Sequence, residues 1–290
     1  MESAVKSLRL GEIDIFAVEE FIWEVPHTFL FPDLTDADFA PHMPWLAPRF
    51  FSPEGQMLLA VQAFVVRTPH HTIVVDTCVG NDKERPREIL NRRQTDFLGR
   101  LKQQAGITPE QVDYVFCTHF HVDHVGWNTR LVEGRWEPTF PNARYLFHRP
   151  EFDYYTNLPE DERQPSLIDS VLPIAEAGLA DLVDGDHQIG DSLFLEPTPG
   201  HTPGHCSVRI TSPNGIAVIT GDMIHTPAQV CEIQWATRAC LDPVQSVETR
   251  GSFVQRHSEA GSLILGTHFA HPTACRFEST GDNFRPVFED

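Results

Sequence analysis

The chain has 290 residues, 41% of them apolar and 22% charged, the composition of an ordinary globular protein able to bury a sizeable core. Its formal net charge of −19 sets a field that repels phosphate backbones, which excludes a nucleic-acid partner as the first expectation. No apolar run approaches bilayer length, residues 1–9 carry no apolar leader core, and the six cysteines lack CxxC spacing, so a reduced, cytoplasmic protein with no membrane partner is expected.

In chain order, residues 8–25 alternate loosely between apolar and polar and predict an opening strand. After Pro26 the pattern breaks down: residues 26–54 hold six prolines among aromatics that include Trp45 and Phe50. An aperiodic stretch of this length, with Trp23 just ahead of it, is expected either to cover a site or to pack as a flap on the core; residues 21–56 are therefore set apart from the rest of one domain, 1–290. Met57–Arg67 and Thr72–Cys78 read as paired strands around Thr68–His71. A surface helix is predicted over 86–105, ending at Gly106, then a strand at Tyr114–Cys117. Ala143–His148 reads as a strand, and Pro150–Asn157 and Ser166–Ala177 as helices. The second half offers strands at Leu193–Glu196, Cys206–Thr211, Ile216–Thr220 and Leu263–Leu265, with a helix from an Asp242 N-cap to Ala260.

The Tyr114–Cys117 strand delivers His119, His121, Asp123 and His124 into a loop. Imidazole nitrogen and carboxylate oxygen together suit zinc. Residues two apart in extended backbone face the same way, so His119 and His121 can grip one ion, whereas Asp123 and His124 fall out of that alternation and point to a second. Three further candidates, His201, Asp222 and His268, each follow an apolar strand, the position where layered α/β folds gather their sites. Asp76, at another strand end, is a candidate acceptor for a ligand imidazole N–H or, equally, a turn cap.

Thr118-His-Phe-His-Val-Asp-His124, with Gly200-His-Thr-Pro-Gly-His205, Thr220-Gly-Asp222 and Gly266-Thr-His268, resembles the metallo-β-lactamase superfamily over about residues 57–272. The resemblance implies an α/β fold, the αβ/βα sandwich of two central mixed sheets flanked by helices, with two Zn²⁺ ions in a cleft at one sheet edge. Carried over, His119, His121 and His201 would hold one ion, Asp123, His124 and His268 the other, and Asp222 would bridge them. His124 stands where the commonest β-lactamase subclass has arginine, and His121 where flavodiiron reductases have glutamate. The expectation therefore moves to hydrolases resembling N-acyl-homoserine lactonases and methyl parathion hydrolases. Gly221–Gln229 is closer to phosphotriesterase-like members, since the best-known lactonases carry a tyrosine near the position of His225. The resemblance thus implies a dinuclear zinc hydrolase that cleaves a lactone, ester or phosphotriester by attack of a metal-bridging hydroxide. Asp123, Asp222 and His225 are its expected catalytic residues, His225 contacting the substrate or protonating the leaving group. The expected partner is a small molecule, apolar in part and neutral or weakly charged; a homodimer is admitted. The alternative is a mononuclear iron oxidoreductase of the persulfide dioxygenase kind.

Overall fold

The computed structural model describes residues 7–281 and 283–289; the start of the segment searched for a leader, residues 1–6, lies outside them. Chain order gives β1 (Ser7–Leu10), β2 (Ile13–Val25), two four-residue helices α1 (Asp36–Phe39) and α2 (Met43–Leu46), β3 (Met57–Arg67), β4 (Thr72–Val75) and α3 (Phe97–Ala105). Then come β5 (Tyr114–Phe116), a separate hairpin of β6 (Thr129–Val132) and β7 (Arg135–Pro138), β8 (Arg144–His148), α4 (Arg149–Thr156), α5 (Leu172–Glu176) and β9 (Ala180–Val183). The second half supplies β10 (Gln188–Ile189), β11 (Leu193–Pro197), β12 (Cys206–Ser212), β13 (Gly215–Ile219), α6 (Ala228–Cys231), α7 (Pro243–Glu259), β14 (Leu263–Leu265), β15 (Ala274–Ser279) and β16 (Phe284–Phe288).

These strands make two seven-stranded mixed sheets, in the orders β1-β2-β3-β4-β5-β8-β9 and β10-β11-β12-β13-β14-β15-β16. In each, antiparallel pairs give way to parallel ones where the site is built: β4 with β5 in the first, β13 with β14 in the second. The period of two in the strands explains why both faces are apolar. Phe64, Val66, Ile73 and Val75 face inward and pack with Val208, Ile210, Ala217 and Ile219 of the other sheet. Their neighbours Val65 and Val74 turn outward into the layer that holds Phe97, Leu101 and Ala105 of α3.

One predicted helix is corrected and another refined. Of 86–105 only α3 is α-helical; before it, residues 81–95 close into a loop with a single 3-10 turn at Glu88–Leu90, Arg92 at φ 47° and Asn81 Oδ1 accepting the Thr95 N–H at 2.8 Å. Leu90 turns inward and is buried, which supplied the helical spacing without a helix. Over 166–177, α5 is preceded by a π-helical turn at Leu167–Val171. Pro173 has no N–H to return to the Asp169 carbonyl, and that oxygen instead accepts Lys83 Nζ at 3.0 Å and the Thr129 hydroxyl. Among the described residues no helix is long and apolar enough to cross a membrane.

The Pro-rich segment condenses around its rings. Phe39 lies 5.4 Å from Phe51 and 4.7 Å from Trp235, ring centre to ring centre, which seats the segment on the second half of the chain.

Candidate metal centre

The chain leaves β5, β12, β13 and β14 at one edge of the sandwich, and the polar residues that follow or precede those strands converge there. Gly221, directly after β13, has φ 56°; a Cβ on it would lie 2.4 Å from His205 Nε2, so the turn that presents Asp222 needs glycine. His205 in turn accepts the Asp222 N–H on Nε2 at 2.9 Å and directs its Nδ1–H at Thr198. Burial, with the nearby His201, holds that ring well below the usual imidazole range, so it is a neutral positioning group.

Asp222 occupies the middle. Its Oδ1 lies 3.0 Å from His124 Nε2 and 2.9 Å from His268 Nε2; its Oδ2 lies 3.2 Å from His201 Nε2 and 3.6 Å from His119 Nε2. His121 Nδ1 approaches His201 Nε2 at 2.9 Å, and Asp123 sits 3.8 Å from both His124 and His268. Three groups with donor atoms within 4.8 Å of one another result: His119, His121, His201 and Asp222; beside them Asp123, His124 and His268; and, overlapping both, Asp222, His225 and His268. All seven residues expected from sequence are thus brought together. His225 joins them, its Nε2 3.2 Å from Asp222 Oδ2 and its ring stacked on His268 at 5.4 Å.

The donor set fits cations. His124 gives its Nδ1–H to Asp76 at 2.9 Å, and His268 gives its own to the Ala60 carbonyl at 2.8 Å. His119 Nδ1 bonds the Thr118 hydroxyl, which itself donates to Asp76. Each of these rings therefore turns a bare Nε2 lone pair toward a carboxylate, and His119 Nε2, His124 Nε2 and Asp222 Oδ1 are buried without a hydrogen-bond partner. Lone pair against lone pair is stable only with positive charge between them. The same demand appears as affinity for protons. Burial opposes charge on His201, but the Asp222 carboxylate outweighs it and lifts the ring to about 9. His268, buried beside the same aspartate, is also raised. Divalent metal ions meet that demand without protons. Of the two readings of Asp76, the acceptor one holds.

Other supporting residues gave no metal-like signal in the sequence. Glu151, on α4, accepts the Phe120 N–H on Oε1 and the Gly204 N–H on Oε2, both at 3.0 Å, and so clamps the two ligand loops together. Burial pushes its carboxyl up to about 7. Gln229 Oε1 accepts the His225 N–H at 2.7 Å. An isolated Glu or Gln in an amphipathic stretch looks like surface, and only its reach to backbone on another element marks it.

The centre floors a cleft of about 660 Å³ whose apolar wall includes Trp23, Phe29, Leu30, Leu59 and Leu90. Of the three aromatics singled out in the sequence only Trp23 lines it; Trp45 and Phe50 pack elsewhere. Phe50 is buried against Phe269 and Phe288, and Trp45 sits edge-on to His42.

Two mixed sheets packed face to face, with a histidine–aspartate centre in the loops at a shared edge, define an αβ/βα-sandwich metalloprotein. The model of the metallo-beta-lactamase superfamily matches residues 57–265, and the chain belongs to that superfamily. An N-acyl homoserine lactonase of Bacillus cereus is 24% identical over 187 residues, covering 60% of this chain and 68% of that protein. Among solved structures, AidC, described as a dizinc quorum-quenching lactonase in complex with a product, superposes with a TM-score of 0.82 at 20% identity, covering 98% of this chain and 97% of that one. The hydrolase AbOPH superposes with a TM-score of 0.81 at 22% identity, covering 98% of each chain. At such identities these likenesses establish the fold.

Proposed function

We propose that this protein is a dinuclear metal hydrolase that cleaves a lactone, ester or phosphotriester in a small substrate with an apolar portion. The observation that carries the reading is Asp222, whose two oxygens each face a different group of imidazoles at the floor of an apolar-walled cleft. His119, His121 and His201 would hold one ion, Asp123, His124 and His268 the other, with Asp222 shared; zinc suits this donor set. Bound there, a pair of divalent ions supplies Lewis acidity and a water acidified toward neutral pH. The chain's own residues do the rest. The Thr118–Asp76 and Ala60 contacts fix which imidazole nitrogen points into the centre, and Glu151 holds the spacing of the two ligand loops. Trp23, Phe29 and Leu59 receive the apolar portion and keep water from that side of the bond. His225 lines the cleft next to Asp222, where its ring can donate a hydrogen bond to the substrate or the leaving group.

The relatives support the reaction class: one is a lactonase by name and another a hydrolase. A single iron with an oxidoreductase activity would leave the Asp123, His124 and His268 group without an ion, so we prefer the hydrolytic reading. One screen across lactones, aryl esters and phosphotriesters, with metal content and oxygen uptake measured alongside, tests it. Turnover of at least one class with about two ions per chain is expected; one iron per chain with oxygen consumption overturns the reading.

A further inference from the structure

The cleft carries two kinds of charge in two places. Its carboxylates, Asp123 and Asp222, lie on the floor among the imidazoles. Three arginines, Arg85, Arg87 and Arg238, also line it. Arg85 is already compensated, bonding both oxygens of Asp169 at 2.6 and 3.0 Å. Arg87 and Arg238 are not. Both are exposed, and among the described residues no carboxylate lies within ion-pair reach of either. Most other arginines of this acid-rich chain have taken such a partner, as Arg144 with Asp181 and Arg285 with Glu278 do.

Each is also tied to the same stretch of the apolar wall. The Arg87 guanidinium lies 4.5 Å over the Phe29 ring. The Arg238 backbone N–H donates to the Leu30 carbonyl at 2.8 Å. Consecutive residues of the apolar wall thus each bring an uncompensated cation to the same cleft. In a molecule of net charge −19 that is a local reversal of sign, and it sits where a substrate lying on Phe29 and Leu30 would end.

We infer that the substrate, besides the bond to be cleaved, carries a carboxylate at its far end, and that Arg87 and Arg238 bind it. The inference rests on the hydrolytic reading of the centre and narrows it. The substrate is then an amphiphile with three regions: a scissile acyl or phosphoryl group over the floor, an apolar middle on Trp23, Phe29 and Leu59, and an anionic terminus at Arg87 and Arg238. Guanidinium suits that terminus because its planar fork matches a carboxylate. Both arginines are solvated, so each contact is modest, and together they should favour an acid over its neutral ester about tenfold at low salt.

The test compares 4-nitrophenyl hydrogen suberate with 4-nitrophenyl methyl suberate on the metal-loaded enzyme, since the two share a leaving group and a chain length. The expected kcat/KM ratio is about ten in favour of the free acid, carried by KM and falling toward one as salt is raised. In the double variant Arg87→Gln/Arg238→Gln the ratio should be near one at every ionic strength, with metal content equal to wild type. Equal rates for the two esters in the wild type, or a preference that survives the double variant, overturn the anion site and leave the hydrolase reading standing. If no ester, lactone or phosphotriester is turned over, the hydrolase reading fails by itself. The anion site is then read by calorimetric titration with N-phenylsuberamic acid and its methyl ester: tighter binding of the acid that the double variant loses supports it, and equal binding overturns it.

Discussion

Asp222 and His225 stand three residues apart in one turn, yet geometry gives them unequal tasks. Asp222 presents one oxygen to His124 and His268 and the other to His119 and His201, whereas His225 meets only the second of them, so Asp222→Ala should empty both proposed sites while His225→Ala keeps most of its metal. Elemental analysis after dialysis against metal-free buffer separates the cases, and equal loss in both variants would reverse the roles. Glu151 makes the opposite kind of residue, outside the proposed ligand set but holding together the two loops that carry His119, His121 and His201. Glu151→Ala leaves the buried N–H groups of Phe120 and Gly204 without an acceptor, a loss of about 3 kcal/mol in urea unfolding and a weaker hold on metal. Glu151→Gln, which keeps one acceptor oxygen, should recover part of both. The ligands were legible in the sequence because short-range spacing and strand-end position select them. Glu151 was not, because what defines it is a distance across the fold to Gly204.

At the scale of elements, most strands could be read, including Met57–Arg67 and Leu263–Leu265, because long apolar runs have few other outcomes. The edge strands β9, β10 and β16, and β15 beside the last of them, were missed, being short or only partly buried. Residues 86–95 read as the start of a helix but belong to the 81–95 loop, since a few inward-facing apolar residues imitate helical spacing. That loop and the Pro-rich segment together wall the cleft, and they divide the aromatic residues by task. Trp23→Ala should raise KM for apolar substrates with metal content unchanged, while Trp45→Ala should leave KM alone. Phe50→Ala should instead cost about 3–5 kcal/mol of stability through the cavity it leaves among Phe269 and Phe288. The loop is pinned from beneath by Lys83, whose Nζ reaches Asp169 and lies 3.6 Å over the Trp136 ring. Burial brings the Lys83 ammonium down to about 7 from an ordinary 10.5. The unfolded chain then binds more protons than the folded one between those two values, so stability from this group rises with pH across that window. Relative to Lys83→Met, the wild type should gain stability from pH 7 toward pH 10 in urea melts; a flat difference would mean that Asp169 keeps the ammonium charged.

Over the whole molecule, the first sheet with its loops supplies His119, His121, Asp123 and His124, and the second supplies His201, Asp222, His225 and His268. Ions that bind only the assembled centre stabilise the fold by mass action, so chelation should lower Tm and added zinc restore it. The halves also meet through backbone: the Ala60 N–H donates to the His268 carbonyl at 3.0 Å, and Gln62 Nε2 lies 3.0–3.2 Å from three carbonyls of the Gly266–Phe269 turn. The only covalent route from one sheet to the other is the short turn at 184–187 between β9 and β10. A centre shared in this way is a clasp, and its strength can be weighed by cutting the strap. Protein nicked by a protease in that turn would be two fragments, one with four of the seven proposed ligands and the other with three, kept together by the sheet-to-sheet core and the ions alone. The tether no longer sets their effective concentration, so the fragments should stay paired on dilution with zinc present and part at higher concentration once it is chelated.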